Sequence, residues 1–310
     1  MPLPDSTLPA SRKRFAFIRR LRWYSWLLLV AIIGYGVAFA MHWDDRAVLW
    51  VKERFEDKAA RSASIWLPDY HVAIDAKALP GMEKDEASDL SYNPVTKTLF
   101  AVMGKNPFLV ELTLEGDVLR KIPLVGWSNP EGVAVMNDGL IAITDERQHQ
   151  LTIVKVTADT VTLNIADFPK YELGKSANQN KGFEGIAWDP RRQQLILGEE
   201  RPAALFTWKS DGSNVLTGDK QKLPSRSLDM RNLSSLSIDS RTGHMLALSA
   251  DSHLLLEVDE QGGQVSFMTL LGGMNGLKET IPRAEGVALD EAGTLYMVSE
   301  PNLFYSFRKH

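Results

Sequence analysis

The sequence predicts an all-β fold: a five-bladed β-propeller of four-stranded blades, closed by an N-terminal strand in the last blade and preceded by one transmembrane helix. Three observations predict it. A unit of strand, tight turn and strand recurs five times. Its spacing of about 50 residues suits one four-stranded blade per copy. Near the N-terminus, an apolar run of about 20 residues carries no formal charge, the length that crosses a bilayer core.

Residues 1–22 form a basic tail, with Arg12, Lys13, Arg14, Arg19, Arg20 and Arg22 against the single acid Asp5. Residues 23–43, "WYSWLLLVAIIGYGVAFAMHW", form the expected signal anchor, with Trp23, Tyr24, Trp26 and Trp43 near its ends where aromatic belts sit. The bases precede the run and Asp44 and Asp45 follow it. The positive-inside rule therefore expects a single-pass protein of the bacterial inner membrane, tail in the cytoplasm and remainder in the periplasm. The alternative is a cleaved signal peptide that releases the domain to the periplasm, because "AFA" (Ala38 to Ala40) resembles a cleavage site. Residues 44–66 mix Val48, Leu49, Val51 and Phe55 with charges. They read as a short helical stalk, lying at the membrane surface or under the domain.

Residues 67–310 hold the repeats: "EASDLSYNPVTKTLFAVMG" from Glu86, "EGVAVMNDGLIAITDE" from Glu131, "EGIAWDPRRQQLILGEE" from Glu184, "SSLSIDSRTGHMLALSAD" from Ser234 and "EGVALDEAGTLYMVSE" from Glu285. Large and small residues alternate in "VALD", "IAWD" and "LSID", as on strands packed between sheets. The turns are rich in Asn, Asp, Pro and Gly. A third strand follows each copy, "FLVELTL" in the first and "LFYSFRK" in the last. The fourth strands are read at "VLRKIPLV", "VTLNIADF", a poorly marked stretch after Asn214, and "QVSFMTLL". The last copy has no fourth strand of its own, and "YHVAIDAKAL" (Tyr70 to Leu79) is the strand left to complete it. Closing the ring this way removes two exposed sheet edges.

Composition excludes several functions. With no cysteine there is no disulfide, thiolate metal site, cysteine nucleophile or lipidated cysteine. The formal net charge of −4 understates the acidity of the body, since six bases lie in the tail, and an acidic body repels nucleic acid. No P-loop, dinucleotide fingerprint or G-x-S-x-G elbow is present. His42, His71, His149, His244, His253 and His310 show no metal-ligand spacing. Trp66, Trp127, Trp188 and Trp208 read as packing residues rather than a ligand box.

"PEGVAVMNDGLIAITDERQHQLTIVKV" resembles an NHL-type propeller repeat. A basic tail, one membrane helix and "EASDLSYNPVTKTLFAV" opening a propeller together resemble the SdiA-regulated, YjiK-like family. That resemblance implies a five-bladed propeller with a calcium site and leaves the activity open. The Glu-Gly strand openings are also similar, less fully, to six-bladed lactonase and gluconolactonase propellers, whose glutamates hold calcium in the channel.

The first strand of each blade lines the channel, so its opening residues are expected to ring one mouth. The ring read from the repeats is Glu86, Glu131, Glu184, Ser234 and Glu285. The second strands return to the same mouth at Gly104, Asp145 and Glu146, Glu199 and Glu200, Asp251, and Glu300. Crowded carboxylates take up protons, form salt bridges or bind a cation. Oxygen-only ligands favour a hard ion, calcium above magnesium. The expected metal set is Glu86, Glu131, Glu184, Glu200, Glu285 and Glu300. The alternative is structural: glutamates satisfied by backbone amides, with Lys84 and Arg283 neutralising part of the cluster.

Two functions follow. One is a membrane-tethered, calcium-binding propeller that binds a protein, peptide or envelope component. The other is a calcium-dependent hydrolase of the lactonase or phosphoesterase kind, with His71, His149 or Glu200 as base. Loops 172–183 and 272–284 decide whether the mouth is open.

Overall fold

The computed structural model describes residues 12–40, 43–55, 57–174, 182–223, 228 and 230–309. The first eleven residues of the basic tail, His42, His310 and the centre of the 172–183 loop lie outside them. The chain forms two compact units, one ending at Ala47 and one running from Val48 to His310. In the first, helix α1 (Arg12–Ala40) contains an apolar stretch, Trp23–Ala40, whose large side chains are exposed. It has the length and composition of a single membrane span or a signal sequence. Helix α2 (Trp43–Phe55) and the short α3 (Lys58–Ser62) follow.

The second unit is a five-bladed propeller. Strand β1 (Tyr70–Ala78) precedes the first full blade, β2 (Ala87–Asn93), β3 (Thr98–Met103), β4 (Phe108–Leu112) and β5 (Val118–Val125). The second blade is β6 (Pro130–Val135), β7 (Leu140–Asp145) and β8 (Gln150–Lys155), then, after the two-residue β9 (Leu163–Asn164), β10 (Lys170–Glu172). The third is β11 (Phe183–Asp189), β12 (Gln194–Glu199), β13 (Ala204–Lys209) and β14 (Gln221–Lys222). The fourth is β15 (Ser235–Ile238), β16 (Met245–Ser249), β17 (Leu254–Val258) and β18 (Gln264–Thr269). The fifth, β19 (Ala284–Leu289), β20 (Leu295–Ser299) and β21 (Leu303–Lys309), takes β1 as its outer strand, so chain ends close the ring as the sequence requires.

Flat sheets packed face to face bury both sides of each blade. One apolar cluster fills each interface between neighbours; between the first two blades it joins Phe100, Val102 and Leu109 to Val133, Val135 and Ile141. This is why inner strands such as Gly132–Val135 are buried throughout rather than on alternate residues.

One strand differs from the sequence reading. "VTLNIADF" is not the fourth strand of the second blade; that strand is β10, paired with β8. The stretch instead lays β9 parallel to β5 on the first blade, then turns through a short 3-10 segment. Asn164 caps this turn by accepting from the Ala166 amide, and Leu163 and Ile165 fill the cluster between the first two blades. The capped turn and two buried anchors outweigh the strand-like alternation.

The stalk is fastened to the fourth blade. Leu49 of α2 is buried against Leu233, Leu236 and Leu256, and Glu53 accepts the Phe267 amide on outer strand β18. Burial pushes the Glu53 carboxyl up to about 7. Further along, the buried Glu257 of β17 receives four donors. Its Oε1 accepts from the Ile65 amide at 2.7 Å and faces His244 Nδ1 at 2.6 Å. Its Oε2 accepts from the Trp66 amide at 2.9 Å and Ser266 Oγ at 2.6 Å. Segment and helix together cover β18, an edge that would otherwise stand open.

Candidate functional site

Strand register sets the acidic mouth. Pro130 pairs with Asp145, Phe183 with Glu199 and Ala284 with Ser299, and a one-residue bulge follows each pair. The bulged residues are Glu131, Glu184 and Glu285. In the first blade Ala87 pairs with Met103 and the bulge falls on Ser88. Ser88, not Glu86, is therefore the first-blade member of the ring, which reads Ser88, Glu131, Glu184, Ser234, Glu285. Glu86 lies two residues earlier, partly exposed, and pairs with Lys105 at 2.7 Å. Lys105 thus takes the place the sequence reading gave to Lys84.

A second shell comes from the ends of the second strands. The amides of Glu146, Glu200 and Glu300 bond to the carbonyls of Asn129, Gly182 and Arg283, which places these acids beside the ring. Two other second-strand acids already have partners. Asp145 is buried and accepts from the amides of Ser128, Asn129 and Gln148. Asp251 pairs with Arg201.

The position two residues before each ring member decides how well that blade's acids are satisfied. In the second blade it is Asn129, whose amide reaches Glu131 at 2.5 Å and Glu146 at 3.0 Å. In the fifth it is Arg283, which meets Glu285 at 3.1 Å and Glu300 at 3.4 Å. In the fourth, Asn232 donates to Ser234. In the third it is Gly182, which has no side chain to give, and its amide goes across to Glu146. Glu184 therefore lacks the forward-reaching side-chain donor that Glu131 and Glu285 have. Arg201 stands 3.4 Å from Glu200, and every group acting most strongly on Glu184 is another acid.

Burial dominates the electrostatics here. It pushes Glu131 up to about 8, against help from Ser88 and Asn129 and with Glu146 and Glu285 adding repulsion. It pushes Glu285 up to about 7, with Arg283 and Ser234 pulling back. Glu300 is also raised by burial. Glu184 rises furthest, through burial and then Glu200, Glu131 and Glu285.

Glu184 and Glu285 line a cavity of about 340 Å³ together with Glu200, Arg201, Asn232, Asp251 and Arg283. Its donors are hard oxygens. Among the described residues no three carboxylates converge into a finished coordination cage. Of the bases proposed for hydrolysis, Glu200 borders the bowl. His149 has a φ of 51° in the turn after β7, matching the structural role expected for it. His71 is exposed on outer strand β1, in register with Arg308 and away from the mouth. Loop 272–284 ends by delivering Arg283 to the rim. Trp127, Trp188 and Trp208 are buried in blade interfaces, as packing residues are.

Below the ring the channel is shut by a residue the sequence reading passed over. Asp89 stands where other blades carry Gly132, Gly185, Ser235 and Gly286. A Cβ on Gly286 would meet the Leu90 amide nitrogen at 2.7 Å, and one on Gly132 the Glu184 carbonyl at 2.6 Å, so blades touch at this level. Asp89 is fully buried. Its Oδ1 accepts from the Leu90 amide and, at 2.5 Å, from Ser235 Oγ; its Oδ2 accepts from the Val133 amide. Ser235 Oγ in turn accepts from the Val287 amide. Burial raises the Asp89 carboxyl well above its ordinary range.

At the opposite mouth the acids serve turns. Asp239 accepts from the Arg241 backbone and side chain, and Asp290 from the Thr294 amide and Tyr296 hydroxyl. The acidic bowl differs in having carboxylates to spare.

A family model described as SdiA-regulated matches residues 62–308. Among solved structures, a chain of the nidogen/laminin complex is similar at 16% identity and a TM-score of 0.45, over 69% of this chain and 72% of its own. Selenomethionine-substituted virginiamycin B lyase from Staphylococcus aureus is similar at 10% identity and a TM-score of 0.42, over 77% and 74%. Likenesses this loose bring no activity with them.

Proposed function

Since this chain belongs to the SdiA-regulated family, a five-bladed propeller whose role must be read from its site, we propose that it is a membrane-tethered, periplasmic binding module with a calcium ion in its acidic mouth. The observation that carries the calcium reading is Glu184, which shares the bowl with Glu200 and Glu285 and whose blade has Gly182 where the second and fifth blades have the donors Asn129 and Arg283. A divalent cation would balance the carboxylates crowded around Glu184 beyond what Arg201 and Arg283 offset. Glu131, Glu184, Glu200 and Glu285 would hold it, with Glu300 behind Arg283; Glu86, paired with Lys105, is left out. Calcium suits an irregular oxygen set better than magnesium, which demands near-octahedral geometry. Such an ion would fix the mouth as a rigid platform. The tether rests on α1 and on the basic residues that precede its apolar stretch.

Calorimetry on the detergent-solubilised full chain tests the ion. Wild type is expected to bind one calcium, and Glu184→Gln to weaken binding by roughly tenfold or more. Absence of heat in wild type, or equal affinity in the variant, removes the reading. Calcium-dependent turnover of lactones or phosphoesters would instead favour the hydrolase, with Glu200 as base.

Stability should report the same acids. Their folded-state pKa values are raised, so the stability they contribute is full below about 4.5 and is lost as pH climbs through about 7 to 8. In chelator, Tm is expected to fall across that window. Calcium at about a hundred times its Kd should restore about 2.7 kcal/mol. A flat Tm in chelator counts against this account.

A further inference from the structure

Helix α2 turns its apolar side away from the propeller. Leu49 and Glu53 face the fourth blade, whereas Val48, Trp50, Val51 and Phe55 stand exposed, Phe55 to 84%. Val48, Val51 and Phe55 share one stripe at i, i+3 and i+7, and Trp50 lies on the flank between that stripe and the propeller-facing side. A helix lying on a soluble domain normally buries such a stripe and shows its charges to water. Here the inward face needs a buried carboxylate and the outward face is aromatic and branched. Arg54 lies over the Trp50 ring at 4.1 Å, and Lys58 is exposed just beyond. An aromatic and apolar stripe flanked by basic residues is the composition that settles at the headgroup boundary.

Continuity along the chain names the occupant. The exposed apolar stretch of α1 ends at Ala40, and Val48 follows so soon that even a fully extended connection reaches only about 25 Å. Given the tether proposed above, on which this inference rests, α2 cannot leave the neighbourhood of the bilayer surface.

We propose that the Val48, Val51 and Phe55 face of α2, with Trp50 at its margin, lies in the interfacial layer of that phospholipid bilayer. The helix is then a two-sided spacer, one side on the propeller and the other in lipid. Because Glu53 and Leu67 are bonded to β18 and Ile65 to Glu257 of the neighbouring β17, the outer edge of the fourth blade becomes the membrane-facing side. Both channel mouths then open sideways, and the acidic bowl stays accessible to a soluble partner.

The chain has no cysteine, so single cysteines at Val51, Phe55 and the exposed Leu119 of β5 give unique spin labels on otherwise intact protein. The full chain is reconstituted into vesicles of phosphatidylethanolamine and phosphatidylglycerol, and collision with oxygen and with a water-soluble nickel chelate is measured. Labels at positions 51 and 55 are expected to show nickel accessibility several-fold below position 119, with oxygen accessibility raised. Labels at 51 and 55 as open to nickel as 119, on protein that floats with the vesicles, sink the docking and leave the tether standing. Exclusion of both reagents together with dipolar broadening between Phe55 labels assigns the face to a second copy and overturns the proposal. Protein that fails to float sinks the tether and the docking with it.

Discussion

Asp89→Ala is expected to destabilise the propeller by about 3 kcal/mol, although Asp89 belongs to none of the apolar clusters. The carboxylate ties the first blade to the Val133 amide of the second and the Ser235 hydroxyl of the fourth, and through Ser235 to the Val287 amide of the fifth. Removing it leaves the Val133 amide and Ser235 hydroxyl buried with no acceptor, each costing about 1–3 kcal/mol. Relief of repulsion with Glu131 offsets part of that. For a domain of this size the net loss corresponds to a Tm drop of about 6–12 °C. The pH dependence separates this account from simple loss of packing. The raised carboxyl gives its full contribution below its ordinary value and loses it as pH rises through the folded one, so the variant should lose more at about pH 5 than at about pH 8. A loss under about 1 kcal/mol, or one that grows with pH, would mean the blades are not joined through this carboxylate.

Blade number, ring closure and the side of the acids were all legible in the sequence, because each depends on a pattern repeated in every blade. Asp89 and the register of Glu86 were not, because the first blade breaks the pattern. "EASDLSYN" offers a glutamate two residues too early, and matching glutamate to glutamate hides the slip. The turn acids supply the missing ruler. Asn93, Asp189, Asp239 and Asp290 each accept an amide of the turn that follows their strand, two residues on in the first three and four residues on in Asp290. Counting four residues back from each gives Asp89, Gly185, Ser235 and Gly286, and one more gives Ser88 at the ring. The missing donor at Gly182 was likewise visible as a glycine opposite Asn129, Asn232 and Arg283. It acquires meaning once those side chains are seen reaching forward to their own ring residues. "VTLNIADF" was misplaced for the opposite reason: its local alternation was real, but Asn164 and two buried anchors in the neighbouring blade overrode it.

Glu257→Ala is expected to cost about 3–5 kcal/mol and to release the stalk from the fourth blade. One carboxylate accepts from the Ile65 and Trp66 amides, from Ser266 and from His244, and no other acceptor at that site replaces it. Leucine of similar bulk should not rescue the fold, since the stranded groups are mostly backbone amides that no compensating substitution removes. Glutamine should fall between, because it keeps one acceptor oxygen while its amide hydrogens confront donors. His244 adds a second readout. Its hydrogen bond to Glu257 raises its pKa, so the stability from the charged pair is full below about 6.5 and fades as pH rises through the folded value. That part of the pH profile should vanish in Glu257→Gln. Hydrogen exchange locates the effect: amides of Ile65, Trp66 and Leu67 should lose protection together, while inner strands such as β6 keep theirs. Uniform loss of protection across all five blades would mean that Glu257 holds the ring itself, and the stalk would then be fastened by Leu49, Lys52, Glu53 and Leu67.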